Sequence, residues 1–331
     1  MRVGPVSLFE LGQTPLTLTD IQSAADRIRG VAWRTPLVPS AWLSDVTGAT
    51  VWLKLETVQA TGSFKIRGAV NAIAALKAAR PVVTTVITAS AGNHGQALAL
   101  AASRFGIRAR VHLPVTAPET KRQAMARLGA EIVDAPNYDA VEARARDEAR
   151  RTGDVYVPPY NDPDVIAGAG TVALEMLDER PELDAFIVPL GGGGLLAGTA
   201  IVARARAPRA LIVGTEADAS PVFTFSLAAG KPVTVDVRDT LADGLAGNMD
   251  PDSETFAIVR DLVDRVVRVP EESIAHAMRD LVLLERLVTE GAGAAPVGAL
   301  LTGNLDLRGR HVGVILSGRN VDAHVIRRVL S

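Results

Sequence analysis

The sequence contains no cysteine and carries almost no net charge. The lack of cysteine excludes disulfide bridges, thiolate metal ligands and a cysteine nucleophile, so any nucleophile must be oxygen or nitrogen. With 35 Lys+Arg against 37 Asp+Glu, the net charge of −2 creates no field that would attract nucleic acid or an anionic membrane. We therefore expect neither a nucleic-acid nor a membrane partner.

Segments that would enter a membrane are also missing from the sequence. No apolar run approaches the ~20 residues that a membrane-spanning helix needs. Residues 1–17 lack the basic region, apolar core and small-residue cleavage site of a signal peptide. A cytoplasmic protein is therefore expected. The 331 residues are 48% hydrophobic, enough to bury a large core in one or two domains.

Short apolar, β-branched runs alternate along the chain with helix-like stretches whose apolar residues recur every three to four positions. This alternation predicts an α/β fold in which mostly parallel sheets are flanked by helices, arranged as two interleaved lobes. The predicted strands include 85–90, 110–114, 185–189, 211–214 and 311–316, and the predicted helices include 96–105, 119–128, 139–151, 165–178 and 273–288.

The loops that follow three of these strands contain the informative residues. Parallel sheets bind ligands beyond the carboxyl ends of their strands. One such loop contains Gly191, Gly192, Gly193 and Gly194 and precedes a predicted helix. Glycines let the backbone approach an anion, and a helix start offers free N–H groups, so this loop favours a phosphate over a simple tight turn. Its spacing is neither G-x-G-x-x-G nor a P-loop, which argues against a dinucleotide or a nucleoside triphosphate.

A second candidate is Lys65, in the segment Gly-Ser-Phe-Lys-Ile-Arg-Gly at 62–68. Its neighbours Phe64 and Ile66 would partly desolvate the amine, which lowers its pKa and suits it to Schiff-base chemistry. Taken alone, Lys65 is equally a solvated residue at a helix start. Near a further helix start, Ser90, Asn93 and His94 form a set of donors for a carboxylate, although a histidine there can also be a simple capping group. No HExxH motif or His/Asp cluster supports a metal.

In this order, the motifs resemble those of the fold-type II pyridoxal-phosphate (PLP) enzymes, within the serine/threonine dehydratase and serine racemase branch. The resemblance extends from about Asp20 to the C-terminus. Arg319 departs from the family pattern, which usually has a second glycine there. The motifs that carry the resemblance are residues 63–69 around the lysine, 90–96, 159–168, 191–195, 240–246 and 316–322.

The resemblance implies a tryptophan synthase β-like fold, with a large PLP-binding domain at 1–84 and 153–331 and a small domain at 85–152. It implies a Schiff base at Lys65, and a hydrogen bond from Asn93 to the ring oxygen of the cofactor. It further implies Ser317 against the pyridine nitrogen and Phe64 beside the ring. The remaining implied contacts are Gly191, Gly192, Gly193, Gly194 and Leu195 with the phosphate, Glu290 with the cofactor, and Ser90, Ala91, Gly92, Asn93 and His94 with the substrate.

The same resemblance implies dehydration and deamination of threonine or serine to a 2-oxo acid and ammonia, by a homodimer or homotetramer. Family members that bind a divalent ion have an acidic residue where this chain has Val222, six residues after Glu216, so no metal is expected. Family racemases have a serine after the position of Ser90, whereas this chain has Ala91. The chain also ends at Ser331 without the regulatory extension of biosynthetic threonine dehydratases, so inhibition by isoleucine is not expected.

Three alternatives remain at this stage. The chain would instead be a serine racemase on the same scaffold, a dehydratase of another 3-hydroxy amino acid, or a non-catalytic binder of small molecules. Lys65 argues against the last, because phosphate binding alone does not require a desolvated amine.

Overall fold

The computed structural model of the protein describes residues 16–331, apart from the side chains of residues 138 and 139. The strands form one six-stranded and one four-stranded sheet. The large sheet has the order β1-β2-β10-β7-β8-β9. Its strands are β1 (Leu37–Ser40), β2 (Thr50–Leu55), β7 (Ala185–Pro189), β8 (Leu211–Ala217), β9 (Arg265–Val269) and β10 (His311–Leu316).

All neighbouring strands of the large sheet are parallel except β1, which is antiparallel to β2. Strand β10 lies between β2 and β7, where Val312 pairs with both Val51 and Ala185. Successive residues of these strands enter two different cores: Phe186 belongs to one cluster and Ile187 to the other. Both faces of the sheet are therefore buried, which explains why the strands are continuous apolar runs.

The small sheet is entirely parallel and has the order β5-β4-β3-β6. Its strands are β3 (Thr85–Ala89), β4 (Arg108–Pro114), β5 (Ala130–Ala135) and β6 (Val155–Tyr156). The helices between them are α4 (Asn93–Arg104), α5 (Glu119–Arg127) and α6 (Tyr138–Thr152). The predicted small domain at 85–152 contains three of these strands, and β6 lies just beyond its boundary.

The remaining helices cover the large sheet or join the two lobes, and α3 packs against both α4 and α7. They are α1 (Leu18–Arg27), α2 (Ala41–Thr47), α3 (Lys65–Ala79), α7 (Pro163–Glu179), α8 (Gly194–Arg206), α9 (Val222–Ala229), α10 (Glu254–Leu262), α11 (Glu271–Asp280), α12 (Gly291–Leu301) and α13 (Ala323–Leu330). Within residues 16–331, none of the helices combines the length and apolar character required to span a bilayer. The predicted α/β fold with two parallel-sheet lobes is confirmed.

One predicted helix, 273–288, is wrong in its second half. Helix α11 ends at Asp280 and is followed by a π-helical turn at Leu281–Glu285. Arg286 then adopts the left-handed conformation with φ 60°, and the N–H of Leu287 donates to the carbonyl of Leu281 at 2.9 Å. The apolar spacing continues through this turn, but the wider ring and the left-handed residue end the helix.

Candidate active site

A pocket of about 510 Å³ lies where the loops after β3, β7 and β10 meet the start of α3. These loops lie at the carboxyl ends of their strands, where parallel sheets bind ligands. All the predicted site residues line this pocket: Phe64, Lys65, Ser90, Ala91, Gly92, Asn93, His94, Gly191, Gly192, Gly193, Gly194, Leu195, Glu290 and Ser317.

Lys65 is the first residue of α3, and its amine points into the pocket wall. Nζ donates a hydrogen bond to the carbonyl of Pro159 at 2.6 Å and lies 5.2 Å from the centre of the Phe64 ring. Burial lowers the pKa of Lys65 to about 8, against the opposing influence of the Glu290 carboxylate. A lysine of this pKa has a substantial neutral fraction near physiological pH, as a nucleophilic or basic amine requires.

The Phe64–Lys65 backbone is joined to the segment that follows β10. The Phe64 N–H donates to the carbonyl of Ser317 at 3.0 Å, and Ser63 forms an antiparallel bridge with Gly318. Ser317 is buried and lines the pocket. The lysine and the terminal motif, far apart in sequence, therefore form one continuous wall.

The glycine loop between β7 and α8 is enclosed so closely that side chains would not fit. A Cβ on Gly192 would lie 2.3 Å from a ring carbon of Tyr160. Gly193 has φ +90°, and a Cβ there would lie 2.8 Å from Phe223 and 2.9 Å from Thr255. The loop ends at the first turn of α8, whose free N–H groups and positive dipole end suit an anion.

Asn93 begins α4 and is held at both ends of its amide. Its Nδ2 donates to Glu290 at 2.7 Å, and its Oδ1 accepts from Asn320 at 2.7 Å. Burial raises the pKa of Glu290 to about 8, and the carboxylate of Asp243 raises it further. Glu290 is therefore largely protonated at neutral pH, which reduces the cost of burying it beside the pocket.

Ser90 and His94 flank Asn93 on the same loop. The Gly92 N–H donates to Ser90 Oγ at 3.2 Å, which shapes the turn before α4. His94 is buried with Nε2 3.2 Å from the carbonyl of Val157, and burial lowers the pKa of His94 to about 3. The imidazole is thus neutral, and its Nε2 donates to that carbonyl.

Three supporting residues escaped the sequence analysis because their partners are distant in the chain. The Thr255 hydroxyl donates to the carbonyl of Gly192 at 2.7 Å and fixes the glycine loop from behind. The hydroxyl of Tyr160 accepts from the Asp250 N–H at 3.0 Å, which anchors the ring that packs on Gly192. Asn320 contacts Asn93. No local pattern marks any of them, although Asn320 belongs to a motif already noted.

Two polar contacts close the pocket mouth between the lobes. Lys121 of α5 forms an ion pair with Asp243 at 2.9 Å. The hydroxyl of Thr120 donates to Asp322 at 3.3 Å. Arg319, the departure from the family motif, is exposed at the same rim.

A buried ion cluster supports the first turn of α3. Arg67 is fully buried and forms a bidentate pair with Glu56, with both distances 2.8 Å. Its guanidinium also donates to Glu175 at 2.7 and 2.9 Å, and Lys54 binds the same carboxylate at 2.6 Å. Because Arg67 is two residues from Lys65, this cluster fixes the start of the helix that holds the amine.

The position at which relatives bind a divalent ion is used differently in this chain. The buried carboxylate of Glu216 accepts from the N–H groups of Phe223 and Thr224, both at 3.0 Å, and from the Thr224 hydroxyl. Glu216 therefore caps the start of α9, beside the apolar Val222. Among residues 16–331, no group of three or more His, Asp or Glu side chains is arranged to hold a metal ion.

Comparison with known proteins identifies the class to which this fold and site belong. Residues 28–318 match the family of pyridoxal-phosphate dependent enzymes, and the chain belongs to that family. The fold-type II PLP resemblance found in the sequence is thereby confirmed.

Individual relatives narrow the comparison. The chain is 41% identical to the L-threonine ammonia-lyase of Thermotoga maritima over 96% of this chain and 78% of that one. A solved threonine deaminase, from T.th., matches with a TM-score of 0.85 and 36% identity, over 92% of this chain and 99% of the other. Maize serine racemase matches with a TM-score of 0.89 and 34% identity, over 95% and 97% of the two chains.

The residues of the pocket fit PLP. An aldehyde needs an amine, and the buried amine of Lys65 has a lowered pKa. A phosphate needs N–H donors without side chains in the way, and the loop at Gly192 and Gly193 leaves no room for a Cβ on its outer side. Ser317 and Asn93 supply neutral hydrogen-bonding groups on the same wall.

Proposed function

We propose that this chain is a PLP-dependent ammonia-lyase that removes water and ammonia from L-threonine and L-serine. The observation that carries the proposal is the desolvated Lys65 amine at the base of a pocket whose phosphate-sized end is the glycine loop before α8. The names of the threonine ammonia-lyase and threonine deaminase relatives support the substrate. The products would be 2-oxobutyrate from threonine and pyruvate from serine, each with ammonia.

We infer that Lys65 binds the cofactor aldehyde covalently and that Gly191, Gly192, Gly193, Gly194 and Leu195 hold its phosphate. Asn93 would donate to the ring oxygen and Ser317 would face the pyridine nitrogen. Phe64 would pack beside the ring, and Glu290 would act through Asn93, to which it is hydrogen-bonded. When bound, PLP supplies a conjugated ring that accepts electrons as the Cα–H bond of the substrate breaks.

The chain's own groups then account for the elimination. Once displaced from the cofactor, the Lys65 amine takes the Cα proton, a role for which a pKa of about 8 is well matched. The donors of Ser90, Gly92 and Asn93 at the start of α4 would bind the substrate carboxylate and orient that proton. Ser317 is a neutral partner for the ring nitrogen, so the electrons are held less deeply and the β-hydroxyl is expelled promptly.

Ala91 favours elimination over racemisation. A racemase must remove a proton from one face of the intermediate and return it on the other, which needs a second acid–base group. Ala91 lines the pocket, and its methyl group neither gives nor takes a proton. The structural similarity to maize serine racemase makes racemisation the second candidate, and it is tested in the same assay.

The proposal is tested by measuring release of 2-oxobutyrate and pyruvate from L- and D-hydroxy amino acids, with chiral analysis of the remaining substrate. Lys65→Ala should lose at least about a thousandfold in rate and lose the visible absorption of the bound cofactor. Lys77→Ala, which removes an amine near the other end of α3, is the matched control and should behave like the wild type.

Borohydride reduction and peptide mapping should place the cofactor mass on Lys65. Lys54 is the informative alternative, because its buried amine is bound to Glu175 at 2.6 Å and to the carbonyl of Thr35 at 2.7 Å. A label on Lys54 or Lys77 would refute the assignment. Release of oxo acid only from other 3-hydroxy amino acids would refute the substrate but not the lyase chemistry.

We further propose that the enzyme is a cytoplasmic homodimer or homotetramer. Leu283, Leu284 and Val288 follow α11 and expose 42%, 55% and 44% of their surface. Clusters of exposed apolar side chains are typical of surfaces that bind another protein. Light scattering of the purified enzyme measures the assembly directly, and a monomeric mass would contradict this proposal.

A further inference from the structure

Asn320 joins three segments that are distant in the sequence. Its Nδ2 lies 2.8 Å from the carbonyl of Thr61, in the loop before Lys65, and 2.7 Å from Oδ1 of Asn93. A Cβ on Gly62 would lie 2.6 Å from Asn320 Oδ1, so the absence of a side chain there allows the amide to lie close against the loop. Asn93 in turn contacts Glu290 at 2.7 Å.

The direction of these hydrogen bonds is set by one backbone group. A carbonyl oxygen only accepts, so the end of the Asn320 amide that faces Thr61 must be its NH₂. The same nitrogen faces Asn93, so the nearest Asn93 atom must be its oxygen. The other end of the Asn93 amide, which faces Glu290, must then be its NH₂. The Thr61 carbonyl thus determines which way the Asn93 amide points.

We propose that Asn320 is a positioning residue that holds the Asn93 NH₂ group toward Glu290 and the pocket, ready to donate to the ring oxygen of the cofactor. The inference rests on the proposed cofactor contact of Asn93. An amide nitrogen carries two N–H groups, so the bond to Glu290 leaves one for the cofactor. Asn320 itself does not need to touch the cofactor or the substrate.

Asn320→Asp separates this role from packing, because the side chain keeps its size but loses its donor. Both neighbouring oxygens would then face an acceptor, a costly arrangement that is relieved when the Asn93 amide turns over. The turned amide presents its oxygen to the cofactor. Asn320→Ala removes more atoms but forces no reversal, because Glu290 still holds the Asn93 NH₂ group.

The test measures PLP affinity by titration of the apo chain and the visible spectrum of the bound cofactor. Asn320→Asp should weaken PLP binding about 10- to 100-fold, the effect of losing a hydrogen bond to a charged group, and should shift the absorption band. Asn320→Ala should weaken binding less than Asn320→Asp does. Asn304→Asp, which places the same charge on an exposed loop, should match the wild type.

A cycle with Asn93→Ala excludes a direct effect of the new charge. In the Asn93→Ala background, Asn320→Asp should cause less than about a twofold further loss of PLP affinity. An equal loss in both backgrounds overturns the proposal, as does wild-type affinity and spectrum for Asn320→Asp. If that variant does not fold, Asn320→Leu, which also lacks the donor, decides by the same measurements.

These measurements do not depend on the substrate. Failure of the wild type to release oxo acid from threonine would therefore refute the proposed reaction while leaving the role of Asn320 to be judged by PLP binding alone.

Discussion

Replacement of Arg67 by methionine tests whether the buried ion cluster supports the start of α3. Methionine fills much of the same volume but removes the guanidinium that binds Glu56 and Glu175. Glu175 keeps Lys54 as a partner, whereas Glu56 keeps only the hydroxyl of Thr35. Removing one partner of a buried ion pair costs about 3–5 kcal/mol, because the other charge stays buried without compensation.

The loss should depend on pH in a way that a simple packing defect does not. Without Arg67, burial should raise the folded-state pKa of Glu56 above its unfolded value of about 4.3. The folded variant then binds more protons than the unfolded chain, so its stability falls as pH rises between these two pKa values. The deficit relative to the wild type should therefore be larger at pH 8 than at pH 5.

Urea unfolding of the holoenzyme, followed by circular dichroism at both pH values, measures the effect. Arg29→Met is the control, because the Arg29–Asp26 pair is exposed and such pairs contribute about 0–1 kcal/mol. Arg67→Met/Glu56→Gln should recover part of the loss, since the unpaired charge is then removed as well. A loss below about 1 kcal/mol, or an equal loss at both pH values, would refute the reasoning.

Three further predictions concern the pocket itself. Gly193→Ala should weaken PLP binding about 10- to 100-fold in equilibrium dialysis, because a side chain at φ +90° would meet Phe223 and Thr255. Gly230→Ala, also at positive φ but in open space, should leave PLP affinity unchanged. Ala91→Ser should produce D-serine detectable by chiral chromatography. Wild-type D-serine formation at a rate comparable with pyruvate release would instead favour the racemase. Uptake of PLP by the apo chain should accelerate with pH and level off above about pH 8, because the pKa of Lys65 is lowered to about 8 and only the neutral amine attacks. An inflection near the ordinary value of 10.5 would contradict this.

The sequence predicts the strands that are buried on both faces and the loops that follow them. Strands β7 and β10 have the predicted bounds, because continuous apolar runs between turn residues have few alternative structures. Strands β1, β5, β6 and β9 were not predicted. Strand β6 has two residues, and β9 alternates arginine with valine at a sheet edge. Short or half-exposed edge strands have a weak pattern, and their pairing is decided by the rest of the sheet.

The same distinction applies to the site. Lys65, Asn93 and the glycine loop lie in contiguous motifs, so they were found from the sequence, and the structure places them around one pocket. Thr255 and Tyr160 act on the glycine loop from separate segments, through contacts that only the folded chain creates. The roles assigned to the predicted residues stay predictions until the variants are measured.

The central place of β10 in the large sheet has a consequence for biosynthesis. Strands β2 and β7 emerge from the ribosome well before β10, the strand that joins them. Until then, each exposes an unpaired edge that is able to pair with another chain. The wall formed by Ser317 and Asn320 is also absent, so a nascent chain that already contains Lys65 cannot yet enclose the cofactor. Capture of PLP therefore belongs to the end of synthesis, and truncation before residue 311 should yield an aggregating chain.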